Sequence, residues 1–150
     1  RGFDVEILVY DKYKQAEDNF VKNVSLEELK SSCDVISFHV PYNEETHYYC
    51  DFKFLENCLK EPVIINTSRG AIVNTLDVID ALGSKKLKGF CVDVYEDEPI
   101  AKNKIHTNEV YQKLLSFKNV IATPHIAGWT HQSKYKLAKI LMEKIELLIN

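Results

Sequence analysis

No closely spaced pair of cysteines occurs in this sequence: Cys33, Cys50, Cys58 and Cys91 show neither a CxxC pair nor the spacing of a zinc site. The thiols are expected to be reduced and mostly buried. No uninterrupted apolar run approaches the ~18 residues that span a bilayer, and the opening Arg1-Gly2-Phe3-Asp4 has no signal-peptide core. A cytoplasmic chain with no membrane partner is the expectation. An excess of one charge is also missing, because 19 basic and 22 acidic residues are interspersed and leave a formal charge of -3. That excludes the broad basic field a nucleic-acid binder needs and leaves a small molecule as the expected partner.

Two catalytic signatures are absent as well. There is no GxSxG elbow and no Cys-His signature, so covalent acyl transfer is not expected. Nor does any GxGxxG turn occur in the 150 residues. The first residue is Arg1 instead of an initiator methionine, and Gly2 before Phe3-Asp4-Val5 resembles a helix C-cap running into a strand. The chain is therefore expected to begin mid-fold. What is present, at 45% hydrophobic and 27% charged residues, suffices for one domain with a real core.

Short apolar runs alternate with helical patterns. Val5–Tyr10, Asp34–His39, Pro62–Asn66, Lys88–Val94 and Asn119–Thr123 read as strands. Between them, Ser25-Leu26-Glu27-Glu28 fits a capping box opening a helix to about Ser32. Further helices are expected over Asp51–Leu59, with Phe52, Leu55 and Leu59 at helical spacing, and over Thr75–Leu82 with Leu76, Ile79 and Leu82 on one face. Glu109–Phe117 reads as a short helix, and Ser133–Ile149 as an amphipathic one striped by Leu137, Leu141, Ile145 and Leu148. This alternation predicts an α/β fold, a doubly wound parallel sheet covered on both faces.

In such a sheet the carboxyl ends of the strands share one rim, where ligands bind. Asp11, Pro41, Arg69, Asp93, Glu98 and His125 all lie at or just beyond those ends. Arg69, Glu98 and His125 form a coherent set. A guanidinium fork matches a carboxylate, and a carboxylate beside an imidazole favours its charged form, giving an acid or base near neutral pH. Each has a plainer alternative: Arg69 can satisfy nearby carbonyls, and Glu98 sits in the acidic run Glu96-Asp97-Glu98, where most charges are solvated. Asp11 stands where dinucleotide folds place an acid on the adenosine ribose, pointing to NAD; a turn aspartate is the alternative. Trp129, Tyr48 and Tyr49 are candidate pocket residues, with packing the favoured role for the tyrosines.

Taken in order, VEILVYD, HVPYNEETHYY, INTSRGAIVN, FCVDVYEDEP and TPHIAG resemble the D-isomer-specific 2-hydroxyacid dehydrogenases over nearly the whole chain. The resemblance implies a Rossmann-like NAD-binding domain over residues 1–132, with 133–150 as a helix leading back to a substrate domain. It implies that Arg69 holds the substrate carboxylate, that His125 is the acid/base, and that Glu98 orients His125. It also assigns Asp11 to the ribose, Val40 and Pro41 to the adenine side, Thr67 and Asp93 to the nicotinamide, and Gly128 to close cofactor approach. The family's glycine-rich turn and first, central strand would lie before Arg1, and their absence should split the sheet into two unequal groups. A 2-hydroxy or 2-oxo acid is the implied partner and a homodimer the implied assembly. The same fold also serves NAD-sensing co-repressor-type scaffolds, and an inactive fragment is a further alternative.

Overall fold

The computed structural model describes residues 2–96 and 108–149. Six strands are present among the described residues: β1 (Ile7–Val9), β2 (Val21–Asn23), β3 (Val35–Phe38), β4 (Val63–Asn66), β5 (Gly89–Val92) and β6 (Val120–Ala122). The helices among the described residues are α1 (Leu26–Ser32), α2 (Phe52–Glu56), α3 (Thr75–Gly83), α4 (Glu109–Leu115) and α5 (His131–Ile149). All pairings are parallel, and the strands fall into two sheets, β1-β2 and β3-β4-β5-β6. The expected α/β class is present, and so is the expected division into unequal groups. β2 carries no strand signal in the sequence, because Val21-Lys22-Asn23 is short and largely polar.

The four-stranded sheet is closed on one face. Ile36, Ile64 and Phe90 lie in register and are buried, as are Phe38 and Val92 in the next row. Leu55 of α2, Val78, Ile79 and Leu82 of α3, and Tyr111 and Leu114 of α4 join them in one core. Full burial of each large aliphatic or aromatic side chain stabilises the fold by about 1.5–3 kcal/mol. The other face is more open than the expected double cover: Val35 is 54% exposed and Ile121 64% exposed. The apolar stripe of α5 is likewise exposed, with no buried residue along its length.

Several helix faces differ from the simple periodic reading. In α3 the inward set is Thr75, Val78, Ile79 and Leu82, an i, i+3, i+4, i+7 pattern that turns Leu76 to solvent. In α2, Phe54 and Leu55 are buried, whereas Phe52 and Leu59 are exposed, the helix having ended at Glu56. Ser25 caps α1 through Glu28 N–H at 3.1 Å. The reciprocal half of the box is replaced: Glu28 Oε1 accepts from Lys22 Nζ at 2.7 Å, a charged donor from β2. The cysteines are all free; Cys50 and Cys58 are buried, while Cys33 and Cys91 are half-buried.

Candidate active site

Phe38, Asn66, Val92 and Ala122 are the last residues of β3 to β6 and lie in one registered row. The segments that leave this row are therefore neighbours although they are far apart in sequence. His39–Pro41 follows β3, Thr67–Arg69 follows β4, Asp93–Glu96 follows β5 and Thr123–His125 follows β6. Strand length and register, set by the apolar runs, decide which residues reach the rim.

Val40, Pro41, Thr67 and Arg69 line one cleft of about 930 Å³, together with Tyr95 and Glu96. The turn bearing Arg69 is fixed from beneath by Asn66, which is 0% exposed. Its Oδ1 accepts from Ser68 N–H at 3.1 Å and Ser68 Oγ at 2.9 Å, and its Nδ2 donates to the Arg69 carbonyl at 2.9 Å. This buried amide thus satisfies the backbone where the strand ladder stops. The Arg69 side chain is exposed, and Nη1 donates to the Ser68 carbonyl at 2.7 Å. Its plainer role, satisfying a nearby carbonyl, is the one this contact fills.

Asp93 and His125 are joined through the turn after β6. Asp93, 3% exposed, accepts from Thr123 Oγ1 at 2.5 Å and from Ile126 N–H at 2.9 Å on Oδ1, and from Ala127 N–H at 2.9 Å on Oδ2. Burial pushes its pKa up, but the Thr123 hydroxyl, the Ala127 and Ile126 amides and the nearby His125 outweigh it. The net position is below the ordinary aspartate value. His125 is half-buried at φ 56°, in the left-handed region that non-glycine residues seldom adopt. Tyr95, packed edge-on against Tyr111, donates its hydroxyl to the Thr123 carbonyl at 3.0 Å and braces the same turn.

The remaining candidates lie apart. Asp11 borders a second hollow with Tyr10, Lys14, Asn23 and Ser25. Its Oδ1 accepts from Tyr13 N–H at 2.7 Å and Lys14 N–H at 3.0 Å, and these bonds hold its pKa below the usual value. The turn role open to this residue type is therefore in use. Gly128 lines neither hollow, and a Cβ added there would meet nothing within 4 Å. Glu98 lies outside the described residues. Trp129 is exposed. Tyr49 packs against Phe38 and Phe54, as expected of it, but Tyr48 does more, donating its hydroxyl to Glu96 Oε2 at 2.6 Å. Sequence reading missed Asn66, Thr123 and Glu96: an amide ending a strand and an acid in an acidic run carry no distinctive spacing.

Parallel strands, a cleft at their carboxyl rim and an acidic residue two positions past β1 are the features of a dinucleotide-binding class of α/β domain. Residues 1–127 match the family model described as D-isomer specific 2-hydroxyacid dehydrogenase, NAD binding domain, and the chain belongs to that family. It is 31% identical to erythronate-4-phosphate dehydrogenase of Bacteroides thetaiotaomicron, over 97% of this chain and 40% of that protein. It is 34% identical to the D-specific alpha-keto acid dehydrogenase of Enterococcus faecium, over 89% of this chain and 42% of that protein. Among solved structures, D-lactate dehydrogenase from Aquifex aeolicus, complexed with NAD and lactic acid, superposes with a TM-score of 0.82 and 32% identity. That match covers 99% of this chain and 47% of the other. The chain thus spans less than half the length of these relatives.

Proposed function

We propose that this chain is the NAD-binding part of an oxidoreductase that moves a hydride between NAD(H) and a D-2-hydroxy acid or its 2-oxo partner. One observation carries the reading: His125 is held in a left-handed turn by a buried carboxylate, on the same rim as the Arg69 cleft. In this reading Arg69 exchanges its bond to the Ser68 carbonyl for a bidentate grip on the substrate carboxylate. His125 takes the 2-hydroxyl proton in oxidation and returns it in reduction, with Glu98 orienting the imidazole. The nicotinamide, when bound, supplies the hydride acceptor or donor.

The residues present fit a dinucleotide in part. An apolar wall at Val40 and Pro41 and exposed backbone around Thr67 suit the adenine and nicotinamide ends, and the strand-end Asp11 suits a ribose. Asp93 and Gly128 complete the assigned cofactor contacts. The glycine-rich turn that would cradle the pyrophosphate is not among the 150 residues. We assign residues 1–132 to the cofactor domain and 133–150 to a connection toward a substrate domain, in a cytoplasmic homodimer.

The test is turnover by the full-length protein carrying this chain, given NADH and a panel of 2-oxo acids. NADH should be oxidised, and His125→Asn should lower kcat by ~10² or more. Asparagine tolerates the left-handed region, so this change removes the imidazole without disturbing the turn. Tight NADH binding with no turnover on any acid would return the co-repressor-type scaffold reading.

A further inference from the structure

Glu96 lies in an acidic run, yet its side chain is half-buried and its carboxylate is shared between two distant segments. Oε2 accepts from the Tyr48 hydroxyl at 2.6 Å, and Oε1 accepts from Thr75 N–H at 2.8 Å, at the first turn of α3. Tyr48 is itself held at φ 49°, and its own N–H donates to the Ala71 carbonyl at 2.7 Å. The Glu96 main chain makes a third contact with the same stretch. A Cβ placed on Gly70 would lie 1.9 Å from the Tyr95 carbonyl carbon and 2.3 Å from Glu96 N, so the two backbones touch face to face. Residues 70–75, which immediately follow Arg69, are thus gripped at Gly70, at Ala71 through Tyr48, and at Thr75.

We propose that Glu96 is a positioning residue for the substrate-binding arginine: its carboxylate, through Tyr48 and Thr75, clamps the outer side of the Arg69 turn against the segment leaving β5. Asn66 fixes the inner side of that turn, at Ser68 and the Arg69 carbonyl. The Arg69 backbone is therefore held between a buried amide and a shared carboxylate. The clamp serves the guanidinium because a bidentate grip tolerates little displacement, and a shift of about 1 Å in a positioning group can cost ~10²-fold in rate. No proton moves at Glu96 in this role. Its requirement is for a hydrogen-bond partner facing each of the Thr75 amide and the Tyr48 hydroxyl.

Glutamine meets that requirement: its carbonyl can accept from Thr75 N–H, and its amide can donate to a Tyr48 hydroxyl rotated to accept. Alanine cannot. The inference rests on the dehydrogenase reading, so its test has one measurement that needs no turnover. In the 150-residue chain, amide hydrogen exchange at Ser68–Ala71 should be ~10-fold faster in Glu96→Ala than in wild type and near wild type in Glu96→Gln. Unchanged exchange in Glu96→Ala overturns the clamp whether or not the protein is a dehydrogenase.

In the full-length protein, Glu96→Ala should raise KM for the 2-oxo acid by ~10-fold or more, leaving the Kd for NADH within ~2-fold. Glu96→Gln should restore KM to within ~3-fold of wild type. A purely structural role would lower the melting temperature and the active fraction while leaving KM per active site unchanged, which overturns the proposal. A Glu96→Gln as damaging as Glu96→Ala also overturns it, because the charge and not the acceptor geometry would then matter. A wild-type protein without turnover, paired with the exchange result above, would refute the dehydrogenase reading and leave the clamp standing.

Discussion

At the scale of single residues, Asp93 and His125 show how a side chain is prepared by its neighbours. The three donors converging on Asp93 close the turn from Thr123 to Ala127 and so help hold a histidine in a conformation that costs ~1–3 kcal/mol. Replacing Asp93 by Asn puts an amide where Ala127 N–H needs an acceptor, at a cost of about 1–3 kcal/mol at neutral pH. The sign of the pH effect follows from the depressed pKa. The stability contributed by the ionised group is fully present above the unfolded value, about 3.9, and is lost as pH falls through the lower folded value. Melting temperatures of wild type and Asp93→Asn should therefore keep their full difference down to about pH 4 and draw together only as the pH falls further, toward the lowered folded value. Parallel curves would refute the anchoring role.

Glu96 and Glu98 make the complementary point about what residue types reveal. Both belong to one acidic run, and side-chain chemistry alone does not separate a clamp from a solvated charge. Glu96 acquires its role from Tyr48 and Thr75, which lie 48 and 21 residues away. Arg69 and His125 were legible because an arginine and a histidine just past strand ends carry a chemical expectation of their own. Asn66 was not, since its value lies in complete burial among backbone donors and acceptors.

At the scale of elements, caps and close approaches matter more than propensity. Asn74 caps α3 by accepting from Leu76 and Asp77 N–H, and Asn108 caps α4 in the same way. Asn74→Ala should cost about 1 kcal/mol in urea unfolding. Gly70→Ala should cost more, up to about 3 kcal/mol, because the added methyl meets backbone atoms of Tyr95 and Glu96 that cannot swing away. The reverse order would mean that the 70–75 segment is free to move off β5. Apart from β2, strand positions among the described residues were readable from apolar runs, but the inward faces of α2 and α3 were not. Periodicity grouped Phe52, Leu55 and Leu59 in one and Leu76, Ile79 and Leu82 in the other, whereas burial against the sheet selected Phe54 and Leu55 in the first and Val78, Ile79 and Leu82 in the second.

At the scale of the whole molecule, the two parallel sheets place β1 and β3 at sheet edges, with Asp11 beyond one and Val40 and Pro41 beyond the other. The proposed adenosine contacts therefore come from separate sheets, and the sequence contains no glycine-rich turn to gather a pyrophosphate between them. Calorimetry of the 150-residue chain with NADH should accordingly give a Kd of ~1 mM or weaker, about −4 kcal/mol. Micromolar binding would show that the rim suffices without that turn.

The order of apolar runs and helical patterns predicted the α/β class and the arrival of Arg69, Asp93 and His125 at one sheet edge, whereas the division into two strand groups was implied by the family resemblance. The class and the shared edge follow from local apolar runs and from the parallel connectivity they impose. It took the folded chain to reveal that the Arg69 guanidinium rests on the Ser68 carbonyl, that Asp93 closes the histidine turn, and that the Glu96 carboxylate joins Tyr48 to Thr75. The last two depend on hydrogen bonds between segments distant in the chain, and the first on the side-chain conformation of Arg69 against its neighbour; in each case the partner is set by three-dimensional geometry to within a few tenths of an ångström.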